Sequence, residues 1–144
     1  MKVLLIGNGG REHALAWRLA QSPSVTRVVC PNGNPGIGEV AEVPVVALPD
    51  AASWAAHALD NAFDLVVVGP EAPLAAGVVD ECLARGVKAF GPTKAAARLE
   101  SSKAFAKEIM LAADVPTARA QAFEAIEPAR AFARGLGLPV VIKA

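Results

Sequence analysis

Four short and mostly apolar runs punctuate the first ninety residues, and each ends at a glycine or a proline. Runs of this length are typical of strands that are buried on both faces of a parallel sheet. Alanine-rich segments of helical composition separate them. Alternating strands and helices predict an α/β fold with an open, parallel, doubly wound sheet. The predicted strands are Val3–Ile6, Val25–Cys30, Asp64–Val68 and Val87–Phe90, with a brief edge strand at Val43–Val46.

Three helices are predicted between these strands, and a different pattern follows them. The helices span residues 11–21, 51–62 and 74–85, with Asp50 as N-cap of the second and Gly86 closing the third. After Pro92 two helices are predicted at residues 93–100 and 102–113, with Ser101 or Ser102 as the cap between them. A strand at 119–123, a helix at 128–134 and a buried strand at 139–144 complete the prediction. A buried strand at a chain end suggests a second domain that has barely begun.

Composition excludes several classes of protein. The chain has 144 residues, of which 53% are hydrophobic, so disorder is not expected. Fourteen basic residues balance 14 acidic ones, which argues against a general nucleic-acid binder. No apolar run approaches the length of a membrane span, and no secretory signal opens the chain. Cys30 and Cys82 have neither metal-ligand spacing nor the density of a disulfide framework, so we expect cytosolic thiols.

A glycine loop between the first strand and its helix is the main candidate for chemistry. Gly7, Gly9 and Gly10 turn the chain, and the helix start offers free N–H groups and a favourable dipole to an anion, most often phosphate. The alternative is that the glycines serve geometry alone. A dinucleotide site would need a third glycine where Glu12 stands, and an acidic residue after the second strand, where none occurs. The loop therefore indicates a phosphorylated small molecule.

A second loop, Gly69–Pro73, follows the third strand and is stiffened by two prolines. In open α/β sheets, ligands bind at the carboxyl ends of the strands. We therefore expect Glu71 to lie close to the first loop and to contact a ligand, although it could merely cap the next helix. Further along, Lys103 and Lys107 share one helical face, which is usually solvated.

Taken together, five stretches resemble the glycinamide ribonucleotide synthetase (phosphoribosylamine–glycine ligase) family of the ATP-grasp superfamily. The resemblance covers the whole chain, and its motifs are specific in this order and spacing. One difference is Ser101, where the family usually has glycine. The stretches are Gly7–Ala14 (GNGGREHA), Val68–Leu74 (VGPEAPL), Phe90–Pro92 (FGP), Leu99-Glu100 together with Ser102–Lys107 (LE and SKAFAK) and Pro139–Ala144 (PVVIKA).

This resemblance implies a Rossmann-like pre-ATP-grasp domain at residues 1–100 and the beginning of an ATP-grasp domain at 101–144. It implies an ATP-dependent ligase of purine biosynthesis, which joins glycine to 5-phosphoribosylamine and releases ADP and phosphate. Lys103 and Lys143 would contact ATP. Mg²⁺ or Mn²⁺, the glycine site and the catalytic residues would belong to a missing C-terminal part. The chain would then be inactive alone, monomeric and cytoplasmic, without a membrane or nucleic-acid partner. The residues matched to the phosphoribosylamine site are Asn8, Gly9, Gly10, Arg11, Glu12, Gly69, Pro70 and Glu71.

Two other functions stay open from the sequence. One is a related ATP-grasp ligase or carboxylase with a similar first domain, against which Gly69-Pro70-Glu71 favours the synthetase family. The other is a non-catalytic nucleotide-binding domain, or a dinucleotide oxidoreductase, built on the same sheet. The missing acidic residue and the missing third glycine count against the dinucleotide version.

Overall fold

The computed structural model describes residues 1–137 and 139–143. The chain divides into two compact units, Met1–Ser101 and Ser102–Ala144. In the first unit a four-stranded sheet has the order β2-β1-β3-β4, with parallel pairing throughout. The predicted α/β fold with a parallel sheet is therefore confirmed. In chain order, the elements of this unit are β1 (Lys2–Ile6), α1 (Gly10–Ala20), β2 (Arg27–Val29), a 3₁₀ turn (Ile37–Glu39), α2 (Ala51–Asp60), β3 (Leu65–Val68), α3 (Glu71–Ala76), α4 (Val78–Ala84), β4 (Ala89–Phe90) and α5 (Lys94–Ser101).

Alternate residues of the central strands face two separate cores. Leu4 and Ile6 pack with α2, α4 and Phe63, whereas Val3 and Leu5 pack with α1 and the 3₁₀ turn. Side chains alternate between the faces of a strand, so a continuous apolar run supplies both cores at once. Helices on both faces make the sheet doubly wound, as its sequence pattern predicted.

Several predicted boundaries in this unit are wrong, and backbone geometry explains them. The helix expected at 74–85 begins earlier, at Glu71, and breaks at Gly77, whose φ of +94° cannot continue a helix. Residues 43–46 do not form a strand. Their backbone pairs with a loop instead, because Pro44 O and Val46 O accept hydrogen bonds from Asn32 at 2.9 and 2.7 Å. Asp50 does cap α2, since its carboxylate accepts the Ser53 N–H at 2.8 Å.

The second unit contains α6 (Lys103–Ala112) and α7 (Ile126–Leu136). Ser102 caps α6 by accepting the Phe105 N–H, and Phe123 packs on Phe132 of α7 with ring centroids 5.4 Å apart. The strands expected at 119–123 and 139–144 are absent from the described residues, and Ala144 lies outside them. A strand needs a hydrogen-bonded neighbour, and the described part of this unit provides none.

Candidate functional site

The loops after β1 and β3 meet at the point where the strand order reverses. β2 lies on one side of β1 and β3 on the other, and the Gly69 N–H donates to Ile6 O at 3.1 Å. In open α/β sheets this is where a ligand crevice forms. The structure thus brings together the two stretches singled out in the sequence, residues 8–12 and 69–71.

Helix α1 begins at Gly10 with Gly9 as its N-cap, and Gly9 has no side chain with which to cap. The Glu12 carboxylate does this instead, because its Oε2 accepts the Gly9 N–H at 2.7 Å. This is the returning half of a capping box. The Gly9 N–H is therefore not among the free donors of the helix start, because the helix uses it for its own cap.

Glu12 is the only charged residue buried among those described, with 3% of its surface exposed. It occupies a slot with glycines at the end of each neighbouring strand. An ideal Cβ on Gly7 would lie 2.6 Å from Glu12 Cγ, and one on Gly69 would lie 2.1 Å from Oε1. The carboxylate thus fills the floor of the crevice, a packing role that sequence analysis did not include.

Three backbone donors remain at the start of α1. The first helical hydrogen bond runs from His13 N–H to Gly9 O at 3.0 Å. The N–H groups of Gly10, Arg11 and Glu12 have no acceptor among the described residues. With the positive end of the helix dipole, they can attract an anion.

Arg11 joins the two loops across the crevice. Its Nε lies 3.3 Å from Glu12 Oε1, and its Nη2 lies 3.3 Å from Glu71 Oε1. Oε1 of Glu12 is buried and accepts no hydrogen bond in the described part of the chain, so the contact with Arg11 is an ion pair alone. About half of the Arg11 and Glu71 side chains is exposed. The site therefore presents a guanidinium and a carboxylate side by side to solvent.

Sequence reasoning missed one contributor to this edge, Asn34 in the loop after β2. Its Nδ2 donates to Asn8 O at 2.9 Å and to Gly9 O at 3.3 Å. His13 packs against Gly36 of the same loop, where an added Cβ would lie 2.7 Å from Cε1. The usable signal was topology: β2 neighbours β1, so the loops that follow them share one edge of the sheet.

Cys30 lies below the glycine loop and is not a reactive thiol. Its Sγ donates to Gly7 O at 3.1 Å, and the residue is fully buried. Burial, with the nearby Glu12 carboxylate, raises the pKa of Cys30 to about 11. The thiol therefore stays protonated at neutral pH, and nucleophilic or metal-binding chemistry needs the thiolate.

The predicted ATP contacts belong to the second unit. Lys103 is the first residue of α6, and both Lys103 and Lys143 are exposed. Lys107 donates to the Thr117 hydroxyl and to Ala118 O, so it ties the segment after α6 to that helix. Contact of Lys103 and Lys143 with ATP stays a prediction.

Among the described residues, no helix is long and apolar enough to cross a membrane. No group of three or more His, Cys, Asp or Glu in that part of the chain could hold a metal ion.

Comparison with known proteins gives a consistent family. A family model described as "Phosphoribosylglycinamide synthetase, N domain" matches residues 1–100. A phosphoribosylamine–glycine ligase of Agrobacterium fabrum is 51% identical over 144 residues, which is all of this chain and 34% of that relative. The chain thus spans about a third of the length of the curated relatives it matches.

Two solved structures show the same architecture. The phosphoribosylamine–glycine ligase of Thermotoga maritima aligns with a TM-score of 0.57 and 29% identity, covering 83% of this chain and 26% of that one. The biotin carboxylase domain of Hydrogenobacter thermophilus 2-oxoglutarate carboxylase aligns with a TM-score of 0.72 and 21% identity, covering 96% of this chain and 33% of that one. At that identity, the second likeness concerns the fold alone.

Proposed function

The chain belongs to the phosphoribosylglycinamide synthetase family, whose N domain it contains, and on that premise we propose that it works in an ATP-dependent phosphoribosylamine–glycine ligase. In this reaction ATP phosphorylates the carboxylate of glycine, and the amine of 5-phosphoribosylamine attacks the acyl phosphate. A carboxylate is a poor electrophile, and phosphorylation supplies the leaving group. The protein then mainly positions the reactants and neutralises their charge.

We assign the phosphoribosylamine to the crevice between the β1 and β3 loops. The observation that carries this assignment is the Arg11–Glu71 pair beside three unpaired N–H groups. The phosphate would lie near Gly10 and Arg11, which offer backbone donors and a guanidinium. The hydroxyl or amine donors of the sugar would face Glu71, since a carboxylate is an acceptor only.

The buried Glu12 carboxylate constrains this arrangement. A phosphate at the floor of the crevice would face a second negative charge at close range. The phosphate is therefore proposed at the rim, on the exposed side of Gly10. Asn8, Gly9, Gly69 and Pro70 then act as the walls, and Glu12 shapes the loop from behind.

ATP would be held by other parts of the protein. Lys103 and Lys143 of the second unit are proposed to contact its phosphates or the adenine edge, because a lysine provides a strong donor and a positive charge. Mg²⁺ or Mn²⁺ would neutralise the phosphate charge when bound. We propose carboxylate ligands for it beyond this chain, together with the glycine site. We also propose a monomer located in the cytoplasm.

Binding of glycinamide ribonucleotide to the 144-residue chain tests the assignment of the crevice. Arg11→Ala should weaken binding about tenfold, the loss expected for a charged hydrogen bond. Arg27→Ala is the matched control, since Arg27 forms a half-exposed ion pair with Glu42 at the amino end of β2. Equal affinities of the two variants in isothermal titration would remove Arg11 from the site. No binding by the unaltered chain would reject the assignment.

A chimeric enzyme tests the proposed reaction. The 144 residues would replace the aligned third of the Agrobacterium fabrum relative. The chimera should form ADP only when glycine and phosphoribosylamine are both present. Glu71→Gln should then raise the KM for the amine more than the KM for ATP. Equal changes in both would contradict the proposed contact.

A further inference from the structure

A single side chain connects the loop after β2 to the glycine loop. The amide of half-buried Asn34 donates from Nδ2 to Asn8 O at 2.9 Å and to Gly9 O at 3.3 Å. At its other end, Oδ1 accepts the Ile37 N–H at 3.0 Å. Because Ile37 is buried and begins the 3₁₀ turn, the orientation of this amide is fixed by the core.

The peptide between Asn8 and Gly9 is held at both ends. Its carbonyl accepts from Asn34, and its N–H donates to Glu12 Oε2 at 2.7 Å. Glycine backbone is otherwise the most mobile of all residues. This clamp keeps the loop in one conformation before a ligand arrives.

The next peptide, between Gly9 and Gly10, is held at its carbonyl alone. That carbonyl accepts from Asn34 and from the His13 N–H. A trans peptide is planar, so its N–H points opposite to its C=O. The Gly10 N–H therefore points away from both donors. Gly10 is also exposed, and an added Cβ there would meet no atom within 4 Å.

We infer that Asn34 is a positioning residue for the phosphoribosylamine site, acting through the glycine loop by aiming the Gly10 N–H at the phosphate. The inference rests on the proposed function. Donors that are oriented before binding need no rearrangement, so a ligand gains their full interaction. An unclamped glycine loop would have to be ordered by the ligand itself.

Asn32 provides a matched control in the same loop. Its Nδ2 donates to Val46 O at 2.7 Å, and its Oδ1 accepts the Val46 N–H at 3.1 Å. It thus ties the loop to residues 43–46, and none of its hydrogen bonds in the described part of the chain reaches the glycine loop. Asn34→Asp and Asn32→Asp make the same isosteric change, each replacing a donor by an oxygen that faces carbonyl oxygen.

The test is a titration of the ¹⁵N-labelled 144-residue chain and both variants with glycinamide ribonucleotide. The Gly10 amide resonance should shift in the unaltered chain. Asn34→Asp should weaken binding about tenfold and reduce that shift, as expected for the loss of an oriented donor to a charged group. Asn32→Asp should bind glycinamide ribonucleotide with an affinity within about twofold of that of the unaltered chain. Its melting temperature should fall about as far as that of Asn34→Asp.

Each result decides between the two proposals. Equal affinities of Asn34→Asp and Asn32→Asp would overturn the inference, while binding by the unaltered chain would keep the proposed function. No binding by the unaltered chain would overturn both. If Asn34→Asp fails to fold, Asn34→Ser replaces it, because serine removes the long donor without adding charge. Normal affinity in a folded Asn34→Ser variant would also overturn the inference.

Discussion

The carboxylate of Glu12 lies directly against the backbone of Gly69, so that an ideal Cβ on Gly69 would stand 2.1 Å from Oε1. Glu12 comes from the helix after β1, and Gly69 from the end of β3. The relationship therefore joins the two loops that form the crevice. The φ of Gly69 is not in the left-handed region. Glycine is needed there because a buried side chain approaches the backbone closely.

Gly69→Ala should destabilise the chain by about 1–3 kcal/mol, as overpacking in a filled core does. The Glu12 side chain has little room to move away from Gly69, because its Cγ already lies 2.6 Å from the position of an ideal Cβ on Gly7. Urea unfolding measures the change. The control is Gly10→Ala, whose Cβ meets nothing within 4 Å and whose helical position favours alanine. The same loss in both variants would contradict the close packing described here.

Removal of the Glu12 side chain should be more harmful than removal of its charge. Glu12→Ala leaves the Gly9 N–H without its acceptor, which we expect to lower the unfolding free energy by about 1–3 kcal/mol. Glu12→Gln keeps an amide oxygen for that N–H and loses only the ion pair with Arg11. Thermal unfolding of both variants makes the comparison. If Gln were as destabilising as Ala, the charge rather than the cap would hold the loop.

Gly77 separates α3 from α4 with a φ of +94°. Gly77→Ala should destabilise the chain by about 1–2 kcal/mol, because a Cβ is strained in left-handed backbone. Crowding adds little, since the nearest atom to an added Cβ is Lys94 Cδ at 3.5 Å. Gly77→Asn should lose less, since asparagine tolerates this region better. Unchanged stability in Gly77→Ala would show that the two helices can join.

The stability of the chain should fall at alkaline pH because of Cys30. Its pKa is raised from 9.0 to about 11 in the fold, chiefly by burial. Because the pKa is higher in the folded chain, the protonated Cys30 thiol contributes fully to the free energy of unfolding below pH 9. That contribution is lost as the pH rises through 11. The measurement is the difference in unfolding free energy between the unaltered chain and Cys30→Ala across this range. A difference that does not change with pH would refute the raised pKa.

The strands of the sheet, and the meeting of the loops after β1 and β3, could be predicted from the local sequence pattern. Val3–Ile6 is apolar without interruption, and such a run is stable only where both faces are covered. Glycine and proline mark a loop after β1 and another after β3. The two loops lie at the same edge of the sheet because parallel strands run in the same direction. These inferences need only periodicity and connectivity. For the same reason the expected proximity of Glu71 to the first loop agrees with its ion pair to Arg11.

Errors arose where an interaction between distant residues overrides local preference. Val43–Val46 has strand composition, but Asn32 takes up its backbone groups. The segment expected as one helix, 74–85, contains a single glycine, Gly77, and one glycine inside a helix is a weak signal for a break. The break depends on the φ that Gly77 adopts in the packed unit. For residues 139–143, an apolar sequence makes no strand without a neighbouring strand among the described residues.

The sequence by itself determined the parallel α/β architecture, the position of the glycine loop and the family to which the chain belongs. Only the tertiary structure decided which donors at that loop are free. Glu12, from helix α1, accepts the Gly9 N–H. Asn34, from the loop after β2, donates to the carbonyls of Asn8 and Gly9. Periodicity reports which residues are buried, whereas the pairing of polar groups depends on distances between segments that local sequence does not encode.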